Sequence, residues 1–201
     1  MAYVRRLHRH AVLTVLALAL SVPGLAQTGH SGILDSIRID NFGRVSELYY
    51  RGSQPNGRDY ADLAALGIKT IIDLQEYGKA EERGMVEKAG MQYVNIRMNT
   101  RVNPTEAQIA QFLSIVNDPA RQPVYVHCAG GRHRTGVMTA LYRMTKEGWT
   151  SDQAFKEMKQ YRFGADYLHP EFKKFVYAYR TPTPPSATPT IVATTIVPAG
   201  N

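Results

Sequence analysis

The chain has 201 residues, 24 Lys and Arg against 17 Asp and Glu, a formal net charge of +7, and one cysteine. That length allows one domain with a sizeable core plus appendages, and a single cysteine excludes an internal disulfide framework.

The opening 26 residues have the layout of an export signal. Arg5, Arg6 and Arg9 form a positive region, Ala11 to Leu20 an apolar one, and Ser21 to Ala26 a small-residue cleavage site. The apolar run falls short of the roughly 20 residues that span a bilayer. The expected mature chain is therefore periplasmic or secreted, with no stable membrane anchor. Cleavage after Ala26 leaves 21 basic residues against 17 acidic, a net charge of +4. That excess suits a phosphorylated protein or a small anionic phosphate and is too mild for nucleic acid. Residues 27–40 read as a linker, 41–180 as the domain, and 181–201, rich in Pro, Thr and Ala, as a disordered tail.

Within the domain, strands and helices alternate. Glu47 to Arg51 reads as a strand, Asp59 to Leu66 as a helix closed by Gly67, and Ile68 to Leu74 as a strand. Ala80 to Ala89 is helical up to Gly90, and Met91 to Met98 alternates as a strand. Asn103-Pro104 opens a helix from Thr105 to Val116, with cap and proline in their favoured order. Pro123 to His127 is β-branched and aromatic, a buried strand, and Thr135 to Glu147 a helix. Thr150-Ser151-Asp152 caps a helix from Gln153 to Tyr161, and a last helix runs from Pro170 to Tyr179. The pattern predicts an α/β fold with a mostly parallel central sheet flanked by helices. Ligands in such folds bind at the carboxyl ends of strands.

One of those ends carries the chemistry. His127 to Gly136 reads HCAGGRHRTG, a short glycine-containing loop between a strand and a helix. Free N–H groups and the dipole at a helix start favour an anion. Gly130 and Gly131 permit the backbone turns that aim successive N–H groups inward, so Ala129, Gly130, Gly131, Arg132, His133 and Arg134 together form a phosphate cradle. Arg134 can clamp two oxygens with its planar fork. The same positive field lowers the Cys128 pKa from about 8.5 toward that of reactive thiolates.

Cys-x5-Arg followed by Thr resembles the signature of the cysteine-dependent protein tyrosine and dual-specificity phosphatases. The resemblance implies attack by Cys128 on phosphorus, a phosphocysteine intermediate, oxygen binding by Arg134, help from Thr135 in the second step, and loop ordering by His127. It implies no metal and no cofactor. Gly131-Arg132-His133-Arg134-Thr135-Gly136 is similar to the plant and fungal atypical dual-specificity type, with Arg132 where those carry lysine. Asn41 to Val45, Leu48 to Pro55 and Asn117 to Pro123 resemble the same group, so the likeness runs from about Asn41 to Phe163.

The general acid is the gap. In this superfamily an aspartate on a loop about thirty residues before the cysteine protonates the leaving group. Here that loop, Arg97 to Asn103, has no carboxylate. Asp73 reads as a structural carboxylate, Asp118 as a turn former and Glu106 as a helix-start residue. His133, inside the loop as in myotubularin-like lipid phosphatases, is the candidate acid. A substrate with a good leaving group needs none. Inositol polyphosphates or pyrophosphates, which the plant and fungal group brings to mind, and phosphoinositides are thus alternative substrates. A phosphate-binding pseudophosphatase and a rhodanese-like sulfurtransferase are alternatives of other classes.

Overall fold

The computed structural model describes residues 28–180; the expected export signal and Pro/Thr-rich tail lie outside the described residues. In chain order the elements are α1 (Thr28–Ser36), β1 (Gly43–Ser46), β2 (Tyr49–Ser53), α2 (Asp59–Ala65), β3 (Thr70–Gln75), α3 (Glu82–Lys88), β4 (Gln92–Met98), α4 (Glu106–Val116), β5 (Val124–Cys128), α5 (Arg134–Lys146), α6 (Ser151–Gln160), a 3-10 turn (Asp166–Leu168) and α7 (Pro170–Ala178). The sheet order is β1-β2-β5-β3-β4. Only β1 pairs antiparallel; β2, β5, β3 and β4 are mutually parallel neighbours. The mostly parallel, helix-flanked α/β fold expected from the alternating pattern is the one observed.

Boundaries moved where side chains take over backbone work. Glu47 and Leu48 form the turn between β1 and β2, so the early strand starts at Tyr49 rather than Glu47. Thr105, not the Asn103-Pro104 pair, caps α4: its hydroxyl accepts the Gln108 N–H while the Gln108 side chain returns to the Thr105 N–H. Thr150 caps α6 in the same reciprocal way. Residues 27–40 are not a bare linker. They hold α1, and Ile37 and Ile39 are buried in the core.

Strand alternation divides the core in two. Tyr49, Ile72, Leu74, Val124, Val126 and Cys128 point to one face, covered by α4, α5, α6 and α7. Tyr50, Ile71 and Tyr125 point to the other, covered by α1, α2 and α3. Helix α5 is the central cover, buried without a break from Arg134 to Met144. A helix this enclosed must satisfy the buried cation near its end. Arg143 does so by gripping Glu157 of α6 through Nε at 3.2 Å and Nη2 at 2.6 Å, with Glu147 2.6 Å from Nη1. Its guanidinium also lies 4.3 Å over the Trp149 ring.

Removing Glu157 leaves Arg143 with Glu147 alone as its carboxylate partner. Glu157→Ala should therefore lower the unfolding free energy by about 1.5–3 kcal/mol, read by urea denaturation. Asp118→Ala, which breaks the half-exposed Arg121 pair, should cost under about 1 kcal/mol.

Candidate active site

Cys128 is the last residue of β5, and the chain then loops directly into α5. The parallel register sets Ser53 beside Cys128, Gly52 beside His127, and Asp73 on the other flank of His127. Because neighbouring residues on a strand point opposite ways, Cys128 faces the α5 side and His127 the α3 side.

The loop stands on the end of β2. Gln54 N–H donates to the Ala129 carbonyl at 3.3 Å. Arg51 Nη2 donates to the Gly131 carbonyl at 2.9 Å, and Asn41 Nδ2 donates to the same oxygen at 2.9 Å and to Gly130 at 3.4 Å. Three successive carbonyls are thus held outward against β2. Gly131 has φ of +63°, and a Cβ there would sit 2.3 Å from the Gly52 carbonyl carbon and oxygen. Only glycine meets both demands.

Arg51 and Asn41 carry no signal in the loop motif itself. Arg51 is fully buried with no carboxylate partner among the described residues, and its guanidinium stacks 3.9 Å over the Tyr161 ring. Burial pulls its pKa below the ordinary arginine value. Asn41 adopts φ of +55°, which asparagine tolerates better than most residues. Both belong to stretches noted for their resemblance to the plant and fungal type, which was the available clue.

Arg134 is buried, and its Nη1 donates to the Met98 carbonyl at 3.2 Å and the Leu74 carbonyl at 3.4 Å. The side chain is thereby braced on the ends of β4 and β3, leaving Nε without a protein partner among the described residues. Burial pushes the Cys128 thiol up. The Thr135 hydroxyl, the Thr135 N–H, the Arg134 charge and the Arg132 N–H pull harder, and the thiol lies below its ordinary value. The Thr135 hydroxyl is itself buried and without an aligned protein partner.

His133 departs from its expected role. Its Nε2 lies 3.0 Å from the Phe163 carbonyl, and its ring packs 3.8 Å from the His169 ring. Burial, then the neighbouring His169, lowers its pKa below the ordinary value. At neutral pH it is an uncharged ring donating to a carbonyl, which makes it a brace between α5 and the α6–α7 connection rather than a poised acid. Arg132 is exposed, with its arm lying along Gly130.

His127 is fully buried between two carboxylates. Its Nε2 lies 3.0 Å from Glu82 Oε1 and its Nδ1 3.9 Å from Asp73 Oδ1. Glu82 went unnoticed in the sequence, being 45 residues from the histidine. The three groups converge within 4.8 Å. However, the carboxylates face different ring nitrogens, and Asp73 already accepts from Gln75 N–H, Tyr93 OH and Asn95 Nδ2. The cluster is arranged to hold a histidine rather than to cage a cation.

The Arg97 to Asn103 loop is as poor in acids as its sequence. Asn99 Nδ2 donates at 2.8 Å to Glu76, just past the end of β3. Asp118 caps a turn by accepting the Ala120 N–H. Beside the cradle an open polar shelf is lined by Ser53, Gln54, Gln75, Tyr77, Lys79 and Ala129. A larger apolar groove between α4 and α7 is lined by Ile109, Leu113, Phe175 and Tyr179 and contains no nucleophile.

Comparisons with known proteins agree with this geometry. A family model described as "DSP-PTPase phosphatase fused to NAD+ Kinase" matches residues 36–174. The chain is 31% identical over 126 residues to the dual specificity protein phosphatase TpbA of Pseudomonas aeruginosa, covering 62% of this chain and 56% of that protein. It is 29% identical over 131 residues to the inositol diphosphatase SIW14 of Saccharomyces cerevisiae, covering 62% and 46%. The matched segment thus spans about half the length of these relatives. The solved catalytic core of SIW14 with citrate superposes with a TM-score of 0.62 at 28% identity, covering 71% of this chain and 87% of that one. TpbA superposes with a TM-score of 0.60 at 27% identity, covering 70% and 86%.

The loop's dependence on its footing is measurable without turnover. Gly131→Ala should weaken binding of inorganic phosphate, read by calorimetric titration, by about tenfold or more, since each hydrogen bond lost to a charged group costs about 1.5–3 kcal/mol. Gly67→Ala, at φ of +87° with nothing within 4 Å of a new Cβ, should cost about 1–2 kcal/mol of stability and leave phosphate binding unchanged.

Proposed function

The chain belongs to the family of DSP-PTPase phosphatase domains whose model is described as fused to NAD+ kinase, and from that premise we propose that it is a cysteine-dependent phosphatase. The observation that carries this is a buried Cys128 with a depressed thiol pKa, at the centre of a loop whose carbonyls are held outward and whose arginine is braced on two strand ends. In the first step Cys128 Sγ attacks phosphorus in line, the S–P bond forms, and the bond to the leaving oxygen breaks. Arg134 and the loop N–H groups hold the remaining oxygens. In the second step water attacks phosphorus, the S–P bond breaks, inorganic phosphate departs and the thiolate returns. The Thr135 hydroxyl, buried beside the sulfur, stabilises that departing charge.

A second observation favours a particular substrate class. The expected acid loop carries no carboxylate, and His133 is neutral and committed to Phe163. Such a site works best on a group that leaves without a proton, as a phosphoanhydride does. That relatives are named inositol diphosphatases, in yeast and in rice, supports inositol pyrophosphates as substrates; the name of TpbA supports a phosphoprotein. Export to the periplasm or medium is part of the same proposal and rests on residues 1–26 alone; N-terminal sequencing of the secreted or periplasmic protein tests it.

Hydrolysis of p-nitrophenyl phosphate should be abolished in Cys128→Ser. A wild-type protein that binds phosphate but releases none from any substrate would instead be a pseudophosphatase. Because the thiol is depressed, the nucleophile is present above its folded pKa and is lost as pH falls through it. Iodoacetate inactivation should therefore show a midpoint below about 8.5, and kcat/KM should fall on the acid side of that midpoint. A general acid contributes roughly 10²–10⁴-fold. Without one, alkyl phosphates should be slower than aryl phosphates or phosphoanhydrides by about that factor, and His133→Ala should leave the ratio unchanged.

A further inference from the structure

We propose that Glu82 is a positioning residue for the nucleophile, acting through His127 from the face of the sheet opposite Cys128. The inference rests on the cysteine-phosphatase reading for its kinetic consequence, but not for its chemical one.

Glu82 opens α3 and is fully buried. An acidic residue at a helix start is normally solvated and serves the dipole. This one is directed inward, under the sheet, where a carboxylate is costly unless paired. Its neighbours supply the pairing. Oε1 lies 3.0 Å from His127 Nε2, and the Tyr60 hydroxyl lies 3.3 Å away. Burial pushes the Glu82 carboxyl up, but contact with His127, then Gln54 and Tyr60, outweighs this and the group lies below its ordinary value. It is a carboxylate at neutral pH.

His127 is the residue through which that charge reaches the loop. It shares a strand end with Cys128, and the polar and aromatic groups around its ring come from three elements, its own strand among them. Asp73 comes from β3, Glu82 from α3 and Tyr125 from β5, stacked 5.8 Å away; Tyr60 of α2 stands behind Glu82. Asp73 is spent on the Gln75 N–H, Tyr93 and Asn95, so Glu82 is the carboxylate free to hold the ring. Neither ring nitrogen has an aligned hydrogen bond, nor does Glu82 Oε2. The contact is therefore a charge-directed approach off the line of the N–H, and it depends on the charge more than on shape. On the Cys128 side, the thiol is stabilised by the Thr135 hydroxyl and by N–H groups of Thr135 and Arg132, together with Arg134. Those donors serve the sulfur only while the end of β5 is held in register with them.

Glu82→Gln tests this because it keeps the size and one acceptor oxygen and removes the charge. In the full chain, the midpoint of iodoacetate alkylation of Cys128 should rise by about one pH unit, the equivalent of a tenfold change. In the same variant kcat/KM for p-nitrophenyl phosphate should fall by a similar factor, with thermal midpoint near wild type. In a His127→Asn background the same substitution should have no further effect on alkylation. Tyr60→Phe, which removes the hydroxyl that meets Glu82 together with its bonds to Pro55 and Gln54, should raise the alkylation midpoint by less, and it serves if Glu82→Gln does not fold. An unchanged midpoint in folded Glu82→Gln, or in Tyr60→Phe where Glu82→Gln does not fold, overturns the proposal. So does an equal shift with and without His127. Alkylation needs no turnover, so a protein whose thiol responds to Glu82 but which hydrolyses nothing would refute the phosphatase reading while sustaining this one.

Discussion

The site depends on one close approach, that of the Gly131 backbone to the end of β2. A side-chain carbon at that position would overlap the Gly52 carbonyl. The approach is possible because β2 runs parallel beside β5 and ends level with it, Ser53 opposite Cys128. The donors of Arg51, Asn41 and Gln54 then meet the loop carbonyls from outside. Once three carbonyls are fixed outward, planarity of the peptide unit turns the N–H groups of the same units inward. The cradle is thus made by constraining the acceptors rather than by placing the donors.

Sheet alternation separates the charges this requires. Arg51, Arg134 and Cys128 are held at the α5 side and end of the sheet, while His127, Asp73 and Glu82 lie on the α3 side. A carboxylate beside Cys128 would raise its pKa and compete with phosphate for the arginines. With the acids beneath the sheet, the histidine can be held by negative charge without placing that charge in the anion site. Arg51 has no acid partner among the described residues, and its contacts are a carbonyl and a tyrosine face. A salt bridge there would have cancelled the positive field that the loop needs.

What the sequence disclosed follows the range of the interactions. The loop motif, its strand and its helix are contiguous, so the candidate nucleophile, clamp and cradle could be named from one short window, whereas the alternating fold was read from the whole run between Glu47 and Tyr179. The caps at Thr105 and Thr150 lay within a residue or two of where turn chemistry placed them. Glu82 and Arg51 could not be read that way. A glutamate at a helix start and an arginine in a strand each have an ordinary solvated explanation, and only the packing of α3 and β2 beside β5 turns them inward. The segment 27–40 escaped for a similar reason. Its apolar run, Ile33, Leu34, Ile37 and Ile39, is short, and it becomes core because α2 and the sheet leave a surface for it.

His133 stands inside the loop, at the start of α5. Its place in the loop, between two arginines, is where a proton donor would be useful. Yet burial, then the adjacent His169 and the flanking arginines, all disfavour a second positive charge there. The neutral ring donates an N–H hydrogen bond to the Phe163 carbonyl and ties the start of α5 to the α6–α7 connection. A loop built to attract an anion is by that construction a poor place to keep an imidazolium. An acid for the leaving group has to come from outside the positive field, from the 97–103 loop or from the substrate itself. With no carboxylate in that loop, the demand falls on the leaving group, and on the proposed reading a phosphoanhydride would meet it because its inner phosphate departs as a stable anion that needs no proton.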